Sequence, residues 1–202
     1  MGDTHVDGRT ARRERGRAAV IDAAFELLLA GEYPLVVDDV AAAAGVSPAS
    51  VFRYFDGMAD LQCRAVERFL ERFSPILGVD DPDPGPRQRR LARLVRQRLD
   101  FYERTGPILA VGRSLALRHG PLAEAVTRSR SLRTTQVRAA LAPELASASA
   151  ARAADLVSTV DAATAPEAWE LLRGFHARSR EQIRRSWVRT LTAAVDAWEE
   201  AG

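Results

Sequence analysis

Lysine and asparagine are both missing from this chain of 202 residues, and cysteine occurs once. All 29 basic side chains are therefore arginine. Both missing residues have A-rich codons, so their absence points to a GC-rich genome and carries no functional message. The lone Cys63 excludes an internal disulfide and a multi-cysteine zinc site within one chain. It reads as a small buried hydrophobe on a helix. The three histidines, His5, His119 and His176, are scattered along the chain. No Cys, Ser or carboxylate stands at a spacing that suggests a nucleophile, an acid/base pair or a metal site. No glycine-rich phosphate loop is present. No cofactor and no metal are expected, and an α-helical enzyme is a poor reading. Apolar runs fall short of the roughly 20 residues that span a bilayer. The N-terminus lacks the apolar centre of a secretory signal, so the expected location is cytoplasmic, with no membrane partner.

Aromatic residues make up only 6% of the chain, against 47% hydrophobic residues in all. The core must be aliphatic and alanine-rich, which favours helices, since β-branched and aromatic runs are scarce. The expected fold class is all-α. Residues 1–11 read as disordered. Ile21, Ala24, Phe25 and Leu28 then mark an amphipathic helix over about 12–30, with Gly31 at its cap and Pro34 beyond. Two very short helices follow, then a longer one over about 58–73. The stretch "GVDDPDPGP" (78–86) reads as a loop. Beyond it, helices are expected over about 87–104, ended by Gly106-Pro107, then over 107–119, 121–141 and 144–163. Pro166 starts a short piece carrying Trp169 and Leu172. The last helix begins at Ser179, where "SREQ" has the form of a capping box.

The most informative stretch is "DDVAAAAGVSPASVFRYF" (38–55). Helices of about seven residues are unstable alone and persist only when packed. Gly45 suits the left-handed turn between them. Val46 plugs that turn, Ser47 is a good N-cap, and Pro48 fits the first helical position. This is the grammar of a helix-turn-helix. With Val51 facing inward, Phe55 and Ser47 fall about 40° from it, and Ala49 and Arg53 about 160° away. An outer face of Ala, Ser and Arg is slim enough for a major groove. The alternative is an ordinary helical corner with a solvated arginine. Arg9, Arg12, Arg13, Arg15 and Arg17 crowd the segment before the first helix, either as a solvated tail or as an arm along phosphates. Residues 1–73 nonetheless hold nine Arg against twelve Asp plus Glu. Any DNA contact must come from where the arginines sit.

With these residues in view, the span from about Arg15 to Phe73 resembles the DNA-binding domain of TetR-type transcriptional regulators. The resemblance rests on "VIDAAFELLLAGEY", "VDDVAAAAGVSPASVFRYF" and "GMADL" at their spacings. It implies an N-terminal three-helix DNA-binding domain (1–57, with the arginine arm), a linking helix (58–73) and a C-terminal helical ligand-binding and dimerisation domain (74–202). It also implies a homodimer on a palindromic double-stranded DNA operator, released by a small-molecule effector that moves the 58–73 helix. Pro48, Ala49 and Ser50 match positions that approach bases. Phe52, Arg53 and Tyr54 match positions along the backbone, joined by Arg13, Arg15 and Arg17 of the arm. Three departures stand out: Val36 where Thr or Ser usually caps, Met58 where a lysine commonly meets phosphate, and Phe52 in place of a tyrosine. Thin base readout of this kind leads to an expectation of shape readout. A helical ligand- or protein-binding dimer that has lost DNA affinity is the alternative.

In the last helix Ile183, Trp187, Leu191, Val195 and Trp198 form an apolar stripe. It reads as a dimer seam, pairing with Leu156, Val157 and Val160, or else as intramolecular core. Tyr102, Leu109, Arg113, Gln136 and Trp169 are the candidates for lining an apolar effector pocket with polar handles. Arg87, Arg89, Arg90, Arg93, Arg96 and Arg98 read as a solvated face.

Overall fold

The computed structural model describes residues 4–73 and 85–201. Every regular element in them is helical: α1 (Thr4–Ala30), α2 (Val37–Ala44), α3 (Pro48–Tyr54), α4 (Met58–Phe73), α5 (Arg87–Ala116), α6 (Gly120–Ala140), α7 (Ala142–Leu145), α8 (Ala150–Ala163), α9 (Pro166–Glu170) and α10 (Arg180–Glu200), with a π-helical turn at Leu171–Phe175. The all-α class stands. No helix among the described residues is long and apolar enough to cross a membrane. The loop expected at 78–86 lies outside the described residues except for Gly85 and Pro86.

The chain divides into two compact units, Met1–Phe73 with Pro107–Val126, and Ser74–Gly106 with Thr127–Gly202. In the first, α1 packs against α4, α2 and α3. Phe25 of α1 meets Phe69 and Phe73 of α4 with ring centroids 6.4 and 6.3 Å apart. Val20, Ala24, Leu28, Val40, Val51, Phe55, Leu61 and Val66 close the core around them. The signals read at 31–55 are realised. Gly31 and Gly45 both take positive φ, and Gly45 N–H bonds back to Ala42. Ser47 caps α3 by accepting from Ser50 N at 3.3 Å. Val36 supplies no cap to α2. At φ +66° an alanine in place of Gly45 is strained. Gly45→Ala is expected to cost about 1–2 kcal/mol, read as a lower urea midpoint with an unchanged slope.

In the second unit α8 packs on α10. Leu156, Val157, Val160, Ile183, Trp187, Leu191 and Val195 are each at most 3% exposed within the single chain. The stripe read as a dimer seam is therefore intramolecular core. The pairing with α8 holds, but both helices belong to one copy, and side chains this deep have no surface left to offer a partner. Trp198, at the end of the stripe, is half-buried and exchanges bonds with Arg152: its indole N–H donates to Arg152 O at 2.9 Å, and Arg152 Nη2 donates to Trp198 O at 2.7 Å.

Three boundaries differ from the sequence reading. α1 begins at Thr4 and not near Arg12; most of residues 4–11 are poor helix formers, but extending an existing helix needs no new nucleus. The 144–163 helix is two pieces, with Ser149 capping the second through Arg152 N at 3.4 Å. α5 runs straight through Gly106-Pro107. Gly106 has no positive φ. It is buried, and a Cβ there would lie 2.5 Å from Cζ3 of Trp169, so its small size serves close packing and not a helix cap.

Candidate functional site

The helix-turn-helix presents one outward face. Val51 and Phe55 point inward at 1% and 4% exposure, while Pro48, Ala49, Phe52 and Arg53 are exposed. Ser50 is half-buried. Its hydroxyl lies 3.0 Å from Ser47 Oγ and accepts from Arg53 Nη2 at 3.0 Å. The Arg53 guanidinium also sits 5.3 Å from the centroid of the Tyr54 ring. A serine and an aromatic thus hold a long cation in one orientation on the outer face, reducing the rotamer entropy it loses on contact.

Tyr54 is half-buried against α1, where a Cβ on Gly16 would lie 2.7 Å from its hydroxyl oxygen. Gly16 is a contributor that the sequence reading misses. A glycine inside a long polar helix costs stability unless something needs the room, and that is the available signal. Arg17 stacks over Phe55 at 5.2 Å, and Arg13 and Arg15 are exposed. The described residues therefore place Arg17 beside α3, and Arg13 and Arg15 further along the same helix. The side chain of Arg9 lies outside the described set.

The acidic excess of this region is partly absorbed elsewhere. Arg68 meets Asp22 at 3.3 Å and Arg72 meets Glu26 at 3.5 Å. Arg64 bridges Asp60 and Glu67. These exposed pairs add little stability. Their effect is to commit the α4 arginines to acids on α1 and α4, leaving Arg13, Arg15 and Arg53 without a carboxylate partner among the described residues.

The sequence pattern of the bacterial regulatory proteins of the tetR family matches residues 20–62, which take in part of α1, all of α2 and α3 and the start of α4. The chain carries a tetR-family domain. A curated relative, the HTH-type transcriptional repressor LfrR of Mycolicibacterium smegmatis, is 40% identical over 98 residues, covering 48% of this chain and 49% of the relative. The match thus spans about half the length of the curated relative. A tetR-family transcriptional regulator from Streptomyces coelicolor superposes with a TM-score of 0.74 at 22% identity, over 94% of this chain and 84% of that one. The regulator FadR of Bacillus subtilis, solved with stearoyl-CoA, gives 0.57 at 14% identity over 88% and 97%. At these identities the structures speak for the fold. They extend the likeness beyond the tetR-family domain to the helices that follow it.

The five candidate pocket residues are divided by the units. Leu109 (8% exposed) and the half-buried Arg113 belong to the first. Tyr102, Gln136 and Trp169 belong to the second. Tyr102 is fully buried. Its ring lies 6.0 Å from Trp169 and 6.4 Å from Trp187. Its hydroxyl donates to Thr164 O at 2.9 Å and accepts from Arg98 Nη1 at 3.0 Å. With both roles filled, that hydroxyl is a core fastening.

Arg98 overturns the reading of a solvated arginine face. It is 1% exposed, and its Nη2 donates to Arg133 O at 2.9 Å and to Asp161 Oδ1 at 3.1 Å. Arg90 is also buried, at 8%. Its Nε donates to Ala140 O at 2.9 Å, and its Nη2 to Glu144. Arg87 joins the same carboxylate at 3.0 Å and reaches Asp196 at 2.9 Å. Only Arg89 and Arg96 of the six are as exposed as expected, with Arg87 and Arg93 half-buried. The missed signal is spacing: Arg98 stands four residues after Leu94 and four before Tyr102, inside the apolar stripe of α5.

Proposed function

We propose that this tetR-family chain is a sequence-specific DNA-binding transcriptional repressor, acting as a homodimer on a palindromic operator and released by a small molecule bound in its second unit. The observation that carries the reading is the outward face of α3. Pro48, Ala49 and Arg53 stand clear of the core on a helix that is capped by Ser47 and braced by Val51 and Phe55. In this reading Pro48 and Ala49 meet thymine methyls in the major groove, Ser50 approaches the bases, and Phe52, Arg53, Tyr54, Arg13, Arg15 and Arg17 follow the phosphates. The proposed division of labour is 1–57 for DNA, 58–73 as the link, and 74–202 for effector and dimer contact, in the cytoplasm.

The homodimer seam moves outward from the buried stripe. α8 exposes Ala151, Ala154, Ser158 and Ala162, and α10 exposes Thr190, Ala193 and Ala197. Small residues at helical spacing let two helix pairs approach closely. Release would follow a shift of α4. Phe69 and Phe73 are packed on Phe25, so a displaced α4 carries α1 with it and re-aims α3. FadR of Bacillus subtilis, which shares this fold, was solved with stearoyl-CoA.

The test is a footprint on DNA flanking the gene. Two protected half-sites about 34 Å apart are expected. Arg53→Ala is expected to weaken binding about ten-fold and to reduce the slope of log K against log salt by about one. Protection that is absent, or a salt slope unmoved by the substitution, sinks the reading. Gly16→Ala separates aim from stability. Helix propensity alone favours the alanine by about 0.5–1 kcal/mol. The displaced Tyr54 is nonetheless expected to lower operator affinity about ten-fold, or about 1.4 kcal/mol, while the thermal midpoint holds or rises.

A further inference from the structure

The outer surface of α3 divides lengthwise. At about 100° per residue, Pro48, Ala49 and Phe52 fall on one side of the outward direction, and Ser50, Arg53 and Tyr54 on the other. The first side is apolar and open: all three residues are exposed, Phe52 at 57%. The second side is polar and already bonded to itself. Ser50 N donates to Ser47 Oγ at 3.3 Å, the Ser47 and Ser50 hydroxyls lie 3.0 Å apart, and Arg53 Nη2 donates to Ser50 Oγ at 3.0 Å. A base edge that took any of these bonds would replace one already made, so the net gain is small. The Tyr54 hydroxyl faces Gly16 of α1.

Bases are commonly read by paired hydrogen bonds, from Arg or Lys to guanine and from Asn or Gln to adenine. The chain has no Lys and no Asn, and its first Gln is Gln62, beyond α3. Arg53 remains, and the proposed function directs it to phosphate. What α3 offers to the base edges of the major groove is therefore carbon. The apolar mark on those edges is the C5 methyl of a pyrimidine, which thymine carries and cytosine lacks. Phe52 has no hydroxyl to donate to a phosphate, so along the same strand its ring meets only sugar carbons and methyls.

We propose that α3 reads its operator through pyrimidine C5 methyl groups, with Pro48 and Ala49 against the methyls and Phe52 closing the strand side of the contact. Methyl readout of this kind rests on the DNA-binding reading above. It makes thymine and 5-methylcytosine equivalent at the contacted positions, since both carry the methyl. It makes uracil a poor substitute, although uracil keeps the O4 acceptor of thymine. The absence of Lys and Asn points to a G·C-rich genome. Thymine methyls are sparse in such DNA, and a face that seeks them meets fewer competing sites.

The test uses the full chain and the duplex protected in the footprint, titrated by fluorescence anisotropy at fixed salt. Thymines of the half-sites are replaced one at a time by uracil, by cytosine or by 5-methylcytosine, each with its matching purine. At the contacted positions thymine and 5-methylcytosine are expected to bind alike. Uracil and cytosine are expected to bind about four-fold more weakly for each methyl lost, the effect of one buried CH₂ group. Uracil between the half-sites, where α3 does not reach, is expected to leave affinity unchanged. Ala49→Ser sets a hydroxyl against the methyl, where it loses water without gaining a partner, and is expected to shrink the methyl preference. Arg53→Ala is expected to weaken all four duplexes alike and keep the ratio. Uracil that binds as well as thymine, an equal loss from uracil at the centre, or a preference that survives Ala49→Ser but falls in Arg53→Ala each overturns methyl readout. A chain that protects no DNA overturns the regulator reading together with this one. Protected DNA that is indifferent to the methyls overturns only this one.

Discussion

Glu144→Gln is expected to lower the stability of the second unit by about 3–5 kcal/mol, the cost of breaking a buried ion pair on one side. Glu144 has 5% of its side chain exposed and Arg90 has 8%, so neither can turn to water. Arg90 keeps bonds from Nε to Ala140 O at 2.9 Å and from Nη1 to Gly85 O at 2.6 Å. These satisfy donors but not charge. Arg87 is less affected, because it retains Asp196 and Glu199. The measurement is urea unfolding, compared with Arg87→Gln, which should cost less. The same carboxylate predicts a pH effect. Burial alone would raise its pKa, but hydrogen bonds from Arg90, the backbone and Arg87 outweigh that and hold it below the ordinary value. A folded-state pKa below the unfolded one gives stability that is complete above the unfolded value of about 4.5. It is lost as pH falls through the lower folded value. The wild type should therefore lose more stability than Glu144→Gln between about pH 5 and the acid limit. Parallel pH curves for the two would contradict this.

Asp161→Asn is the second large effect. Asp161 is the carboxylate partner of the fully buried Arg98, and Arg133 lies beside it. Its removal leaves the buried Arg98 without its ion-pair partner and takes one of two nearby negative charges from Arg133. The expected loss is about 3 kcal/mol, at the lower end of the usual 3–5 because the Asp161 side chain keeps 29% exposure. Arg98→Met should cost much less, since the charge leaves with the hydrogen bonds and the apolar stem is replaced. The double variant Asp161→Asn/Arg98→Met is then expected to be more stable than Asp161→Asn alone. Such a sign of coupling belongs to a charge pair and not to general packing. Losses that simply add would show that Asp161 acts through Thr134 and local packing instead.

The sequence is most legible where its instructions are local. Gly45, Ser47 and Pro48 each act within a few residues, so the helix-turn-helix and the outer side of α3 are readable without any tertiary knowledge. The Ser179 capping box is likewise readable, with Ser179 N donating to Gln182 Oε1 at 2.9 Å and Gln182 N to Ser179 Oγ at 3.3 Å. Legibility ends where the partner is distant in the chain. Gly106 looks like a stop signal until Trp169, more than sixty positions on, is seen to occupy the space beside it. Arg98 looks solvated until Asp161 and the Arg133 carbonyl arrive. The α10 stripe looks like a seam because periodicity shows that a face is buried, not which chain buries it. A pocket is the hardest feature to read, since a cavity belongs to several elements and to none of their patterns.

The two units carry separate natural reporters. All three tryptophans, Trp169, Trp187 and Trp198, fall in the second unit, and the sole thiol, Cys63, is buried in the first at 4% exposure. Indole fluorescence therefore follows melting of one unit, while the rate at which a thiol reagent labels Cys63 follows opening of the other. Without any added dye or engineered tag, the two traces will tell whether the halves of this chain come apart together or in turn.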